Sequence, residues 1–424
     1  MESNKTNNSQ VQGNQNIVIQ DVSASNITIN VNGKEKKLEV AMNQWLVENC
    51  MYSIAEYQPI SNRFIEKVSR ASTNWQNEKE YLDAGLVLMQ ALYIGIVGTY
   101  LNKIASISNQ SFSMQKLKDY SKNAYLLALR LLDLVNIAQI SALWDFLERT
   151  KEPMETPDKL AQFFEQLVVR DLKFSYKLFV ELFQRFKSKN IPFPMEEMAK
   201  LENSIHHDSY LAKAIQKIEE IYILSNNQEL EGQDVFWVEK SLTDILSEFN
   251  FLTNYKIQSI KELDYHHIKA HEQYFIHKIN LFGSSGKSSE IGKFSFETTK
   301  YSDKAFYTDS VILFKENYFD GLNLFPFLID YNSIIQEPGI NLCVFSHKNL
   351  THDKLFNFIS VQHNKFLGIE TQDEQNNDYS QIYSNKESIV QHKKNLIGKL
   401  IKQAQKTLSG SKETAGSILD DLFN

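Results

Sequence analysis

The residues best suited to chemistry are histidines. His266, His267, His271 and His277 crowd one stretch, with Asp264 and Glu272 beside them. On a helix, His267 and His271 would share a face, a spacing at which two imidazoles can ligate zinc, and a metal-dependent hydrolase is the activity such a pair would serve. No His-Glu-x-x-His is present, because Glu272 follows the second histidine. The alternating run from His277 to Leu281 reads instead as a strand, on which His271 and His277 would share a face but lie far apart. A polar strand face or loop is the competing reading. A phosphate loop is excluded at Gly283-Ser284-Ser285-Gly286-Lys287-Ser288. The position that needs the first glycine is Leu281, and a strand-like run follows where a helix is required. No Gly-x-Ser-x-Gly elbow accompanies the serines, and neither Cys50 nor Cys343 sits in a nucleophile motif. The sequence therefore lends no support to enzymatic activity and calls for no cofactor.

Two stretches point to surfaces. Residues 84–102 carry no charge and are about 18–20 residues long, enough to span a bilayer core, but a helix apolar all round is also what the centre of a large bundle requires. Residues 386–406 form an amphipathic basic helix. Lys393, Lys394, Lys399 and Lys402 are its candidate contacts to an anionic membrane or partner, against packing on the body of the protein. A membrane-disrupting effector would use both.

The elements that must position these residues follow from composition and pattern. The chain has 424 residues, 42% hydrophobic, with Gly 15 and Pro 7, which favours long helices over a turn-dense all-β fold. A net charge of −7 disfavours a nucleic-acid partner. Two cysteines far apart exclude a disulfide scaffold and suit a reducing cytoplasm, and the first ten residues lack a secretory pattern. The spacing predicts helices over 38–57, 81–104, 114–149, 158–169, 172–186, 195–224 and 234–249, broken at Pro153, Pro157, Pro192 and Pro194. Beyond residue 251, short aromatic and β-branched runs at 268–281, 293–298, 311–314, 322–329, 341–345 and 357–361 predict an antiparallel sheet.

Residues 1–33 differ from all that follows. They are rich in Asn and Gln, and between Thr6 and Asn32 the one charge is Asp21. Ile17-Val18-Ile19-Gln20 and Ile27-Thr28-Ile29-Asn30-Val31 alternate as strands of a hairpin. A lone hairpin is marginal in water and needs a partner surface. Uncharged, proline-free, amide-rich strands have the composition of cross-β assembly, with Asp21 and Lys34–Lys37 as flanking gatekeepers. Residues 11–33 resemble the short N-terminal elements of bacterial conflict and anti-phage signalling proteins, among them the amyloid-like motifs shared between sensors and effectors. That resemblance implies homotypic pairing: a like segment on a partner protein, or on a second copy, templates strand addition through Ile17, Val18, Ile19, Gln20, Ile27, Thr28, Ile29, Asn30 and Val31. Residues 318–330 resemble an aromatic strand-and-proline run of other bacterial defence-type proteins.

The expected architecture is α+β. An N-terminal β-hairpin segment (1–33) precedes a large α-helical bundle domain (34–250). A smaller antiparallel β domain (251–385) follows, then a terminal basic helix and tail (386–424). The expected role is a non-enzymatic adaptor or effector of a bacterial defence system.

Overall fold

The computed structural model describes residues 17–23, 26–31, 34–38, 42–71, 78–111, 113–152, 158–165, 170–205, 209–227, 230, 232–267, 274–282, 297–302, 306–315, 320–349, 351–372 and 385–409. The fold is α+β. The described residues fall into two compact units, the first drawn from 1–93, 100–128 and 203–253, the second from 94–99, 129–202 and 254–424.

The first unit begins with three antiparallel strands in the order β1-β2-β3: β1 (Ile17–Ser23), β2 (Asn26–Val31) and β3 (Lys34–Leu38). The register sets Ile17 opposite Val31 and Ile19 opposite Ile29, slips by one residue between Ile19 and Asp21, and sets Ile29 opposite Lys36. The third strand was not legible: the charged run Lys34–Lys37 lacks alternation, and pairing with β2 decides its conformation. Helices follow: α1 (Gln44–Ile54), α2 (Pro59–Ala71) and α3 (Glu78–Leu92). Leu46, Val47, Cys50, Met51 and Ile54 form the buried stripe of α1, at the three-and-four spacing of one helix face.

The uncharged stretch 84–102 is not one helix. α3 ends at Leu92 and α4 (Gly95–Ser108) begins after a break at Tyr93 and Ile94. Gly95 explains the new start, since a Cβ there would stand 2.4 Å from the Phe282 carbonyl oxygen and 2.5 Å from its ring. Among the described residues, the helix long and apolar enough to cross a membrane is α5 (Met114–Thr150), and 94% of its apolar window is buried inside the protein. That is the signature of a core helix.

In the second unit, α6 (Asp158–Glu165) and α7 (Leu172–Ser188) accompany two antiparallel sheets. The first unit meanwhile contains α8 (Tyr210–Asn227) and α9 (Gly232–Glu248). Residues 195–224, expected as one helix, are divided into a 3-10 turn over Glu196–Ser204 and α8. The five-stranded sheet has the order β6-β5-β4-β7-β8, built from β4 (Lys256–His266), β5 (Tyr274–Leu281), β6 (Glu297–Ser302), β7 (Val311–Phe314) and β8 (Leu322–Asn323). The four-stranded sheet has the order β12-β11-β10-β9, from β9 (Leu328–Asp330), β10 (Leu342–Lys348), β11 (Leu355–Ser360) and β12 (Phe366–Glu370). The run 322–329, expected as one strand, is two strands of different sheets joined by a turn at Phe325-Pro326-Phe327, and Asp330 opens the short helix α10 (Tyr331–Ile334). The basic helix α11 (Lys386–Leu408) buries Ile397, Gly398, Ile401, Ala404 and Leu408. Gly398 lets it sit against Thr371 and Phe356, since a Cβ there would meet them at 2.4 and 2.9 Å.

Because the Phe282 backbone blocks any side chain at the start of α4, Gly95→Ala should lower stability by about 1–3 kcal/mol, the usual cost of overpacking. The midpoint of thermal unfolding checks this; an unchanged midpoint would show that the close approach relaxes freely.

Candidate functional site

A group of buried charged side chains in the second unit gathers on α5. Arg130 and Asp133 lie one turn apart on it, 3% exposed each. Arg130 Nη1 donates to Asp133 Oδ2 at 2.6 Å, and Arg130 Nη2 donates to Asn364 Oδ1 at 3.1 Å in the turn between β11 and β12. A second guanidinium, Arg170, places Nε 4.0 Å from Asp133 Oδ1 and is 5% exposed. Its Nη2 donates to the Phe345 carbonyl of β10, and its plane lies over the Phe163 ring, 4.3 Å from the centroid. Ser175 on α7 donates to Asp133 Oδ1 at 3.3 Å, and Asn136, a further turn along α5, donates to the Ser175 carbonyl at 2.9 Å. Asp171 caps α7 by accepting from the Phe174 N–H at 2.6 Å, which fixes the chain on which Arg170 sits. Burial pulls the Arg170 guanidinium down to about 10, still charged at neutral pH. Burial, then the charge of Arg170, lowers the titration of His347. That histidine pairs with Ser346 Oγ through Nδ1 at 3.0 Å and with Asn357 Nδ2 through Nε2 at 3.1 Å.

The first unit holds a separate buried carboxylate. Glu239 on α9 accepts the backbone N–H of Asn43 at 2.9 Å and of Leu46 at 3.1 Å, capping α1 from far along the chain. Asn43 has φ 74°, in the left-handed region, and its Oδ1 accepts the Tyr120 hydroxyl at 2.8 Å. Burial pushes Glu239 up to about 7, against the pull of the Asn43, Leu46 and Trp45 N–H groups.

No family model matches this chain, and neither does any curated protein or any solved structure.

The residues singled out from sequence lie elsewhere. Ile17, Val18, Ile19 and Gln20 fall in β1, and Ile27, Thr28, Ile29, Asn30 and Val31 in β2. Of the lysines on α11, Lys393 is turned inward. Its Nζ donates to Asp309 Oδ1 at 2.8 Å and to the Ser333 carbonyl at 3.1 Å, so it anchors the helix. Lys394 is half-buried, and Lys399 and Lys402 are exposed on the opposite side of the buried stripe. The described histidines do not converge. His266 closes β4 and stacks on Tyr274, His267 stacks on Tyr265, and His277 is fully buried in β5, where its Nε2 accepts the Phe306 N–H at 3.0 Å. His271 and the turn at 283–288 lie outside the described residues. Among the described residues, no group of three or more His, Cys, Asp or Glu is placed to hold a metal ion. Both cysteines are free and buried, and burial raises both thiols.

Sequence reasoning missed the Arg130, Asp133 and Arg170 cluster. Its signal was an arginine and an aspartate, with Asn136 and Gln139 following at threes, inside the otherwise apolar run 127–140.

Between roughly pH 4.5 and 7, the folded chain keeps a proton on Glu239 that the unfolded chain has released. The contribution of Glu239 to stability is therefore highest below that window and is lost as pH rises through it, by about 3 kcal/mol in total. Glu239→Gln should flatten that part of the stability–pH curve measured by denaturant titration; unchanged slopes in the two proteins would assign the titration elsewhere.

Proposed function

We propose that this chain is a non-enzymatic recruitment protein of a bacterial defence system, acting in the cytoplasm through strand pairing of its N-terminal segment. The observation that carries the reading is the order β1-β2-β3, which among the described strands leaves β1 and β3 terminal in their sheet. β3 is the charged sequence KEKKL, the lysine-rich kind of edge that resists further pairing, whereas β1, IVIQDVS, carries one charge. β1 is thus the edge fitted to receive a strand from a partner with a like segment or from a second copy. Main-chain hydrogen bonds supply the affinity, and Ile17 and Ile19, backed by Ile27, Ile29 and Val31 of β2, supply the register. In this reading residues 1–33 form the assembly element and 34–250 the helical response module. The β-rich 251–385, with the terminal helix, is the sensing or scaffolding module. The resemblance to conflict-system elements supports the same role.

Replacing Ile27 and Ile29 together by Lys in the full chain should abolish self-association or partner capture, read as solution mass at matched concentration. The thermal transition of the helical and C-terminal parts should stay where it was. Retained association in a chain that still unfolds normally would sink the proposal.

A further inference from the structure

Strand β12 ends the four-stranded sheet, and among the described residues no strand pairs with its outer edge. The backbone bonds fix which groups face outward. Thr371 N–H donates to the Lys354 carbonyl and Ser360 N–H to the Lys365 carbonyl, each at 2.9 Å, so the odd-numbered residues of β12 face β11. Gln391 Nε2 of α11 donates to the Glu370 carbonyl at 3.2 Å, on the side away from β11. The N–H and C=O of Phe366 and Gly368, and the N–H of Glu370, therefore point outward with no partner among the described residues. The other end of this sheet is closed, since Leu328, Ile329 and Asp330 of β9 are fully buried.

The usual protections of an edge strand are missing from β12. It pairs with β11 without a bulge, and its sequence, FLGIE, holds no proline or lysine and one charge at its last residue. Ile369 lies opposite Phe356, on the face where α11 brings Gly398 against Phe356 and Thr371. Phe366, Gly368 and Glu370 share the other face, and all three are exposed. The Phe366 ring meets His347 edge-on, 6.4 Å between centroids, yet the residue is 51% exposed.

An exposed aromatic two residues from an exposed glycine makes this edge complementary to itself. Antiparallel pairing of two β12 strands about Gly368 sets each Phe366 opposite Glu370 of the second copy. All the facing residues present outward groups, so each facing pair exchanges both its hydrogen bonds. The Glu370 carbonyl has a second lone pair for the new bond and keeps Gln391. On the diagonal, each Phe366 ring lies across Gly368 of the other copy, where no side chain keeps it off. Glu370 meets an aromatic ring and not a like charge. On the opposite face Leu367 comes against Ile369.

We infer that β12 is a homotypic pairing edge, through which two copies of this chain join their four-stranded sheets with Gly368 of each on the two-fold axis. Such an interface is isologous and closes on itself. It uses no residue of the N-terminal sheet, so it stands or falls separately from the pairing of β1.

The test is disulfide trapping in the full-length protein, read by non-reducing electrophoresis after mild oxidation with glutathione disulfide. Cys50 and Cys343 are buried and stay out of the reaction. Gly368→Cys should link two copies, because facing residues of a hydrogen-bonded pair stand about 5.5 Å apart, within disulfide reach. The added Cβ would stand 2.9 Å from Leu355 Cδ1, the end of a side chain that can turn aside. Phe366→Cys should not link to itself, since this register leaves the two copies of residue 366 roughly 13 Å apart along the strand. Mixed Phe366→Cys and Glu370→Cys chains should link to each other. The same pattern should persist in the chain carrying Ile27→Lys and Ile29→Lys, which removes β1 pairing as the source of proximity. That chain should sediment as a dimer. Adding Gly368→Pro should return it to monomer with its thermal transition unmoved, because a proline at this position removes an outward N–H. A monomer at every concentration before that addition, equal linkage at 366 and 368, or no linkage at 368 overturns the inference.

Discussion

Asp133 is held between two guanidiniums in the interior of the second unit, and the placement of the surrounding elements follows from that contact. Charges this deep are stable when each finds a partner, and removing one partner of a buried pair costs about 3–5 kcal/mol. Meeting that requirement brings α5, the chain entering α7, strand β10 and the turn after β11 to one point, through Arg130, Arg170, the Phe345 carbonyl and Asn364. These segments are far apart in sequence. The aromatic side chains around the cluster then have little choice of position: Phe163, Phe164, Phe327 and Phe345 meet edge-on or tilted, with centroids between 5.2 and 6.4 Å, and Trp144 closes the group against Phe327. Packing of the rings and pairing of the charges reinforce each other. The rings exclude the water that would weaken the ion pairs, and the pairs fix the backbone from which the rings project.

The first unit solves a similar problem with opposite chemistry. There the buried group is an acid, Glu239, and among the described residues it meets no cation; backbone N–H groups at the start of α1 satisfy it. An uncompensated carboxylate in such a place titrates upward until it is close to neutral, whereas an arginine keeps its charge. The two buried carboxylates therefore differ in kind. Glu239 is a helix cap that can afford protonation, and Asp133 is a counter-ion whose protonation would leave two cations facing each other.

What could be read from the sequence was whatever depended on local pattern. The long periodic helices over α5, α7 and α9 and the apolar strand β7 carry their periods in their own residues, and the structure places them where those periods point. What could not be read depended on distant neighbours. The break between α3 and α4 turns on the Phe282 backbone beside Gly95, and β3 is a strand because β2 lies beside it. Strand β4 hid its second half in polar residues, Lys261 and Glu262 among them, although its first half is buried. The charge cluster was invisible for a related reason: an arginine and an aspartate three residues apart on a helix are the ordinary surface pair. Only the apolar residues on every side, from Leu127 to Ile140, mark this pair as interior. The described histidines stand apart: the pairing of β4 with β5 leaves His266, His267 and His277 in different surroundings.

The asymmetry of the N-terminal sheet also limits the kind of assembly that the proposed pairing can build. A stack that grows without end needs two open edges on every protomer, one to accept a strand and one to offer it. Here one edge carries Lys34, Lys36 and Lys37, and a like edge brought against it would set these charges side by side. Pairing of β1 with β1 of a second copy is self-complementary and closes on itself, giving a pair and not a fibre. Longer assemblies require a partner that masks the lysines or displaces β3. On this reading the charged strand is what makes recruitment conditional: the segment has the composition of an open-ended cross-β element, and its own third strand restricts it to one neighbour until a second component intervenes.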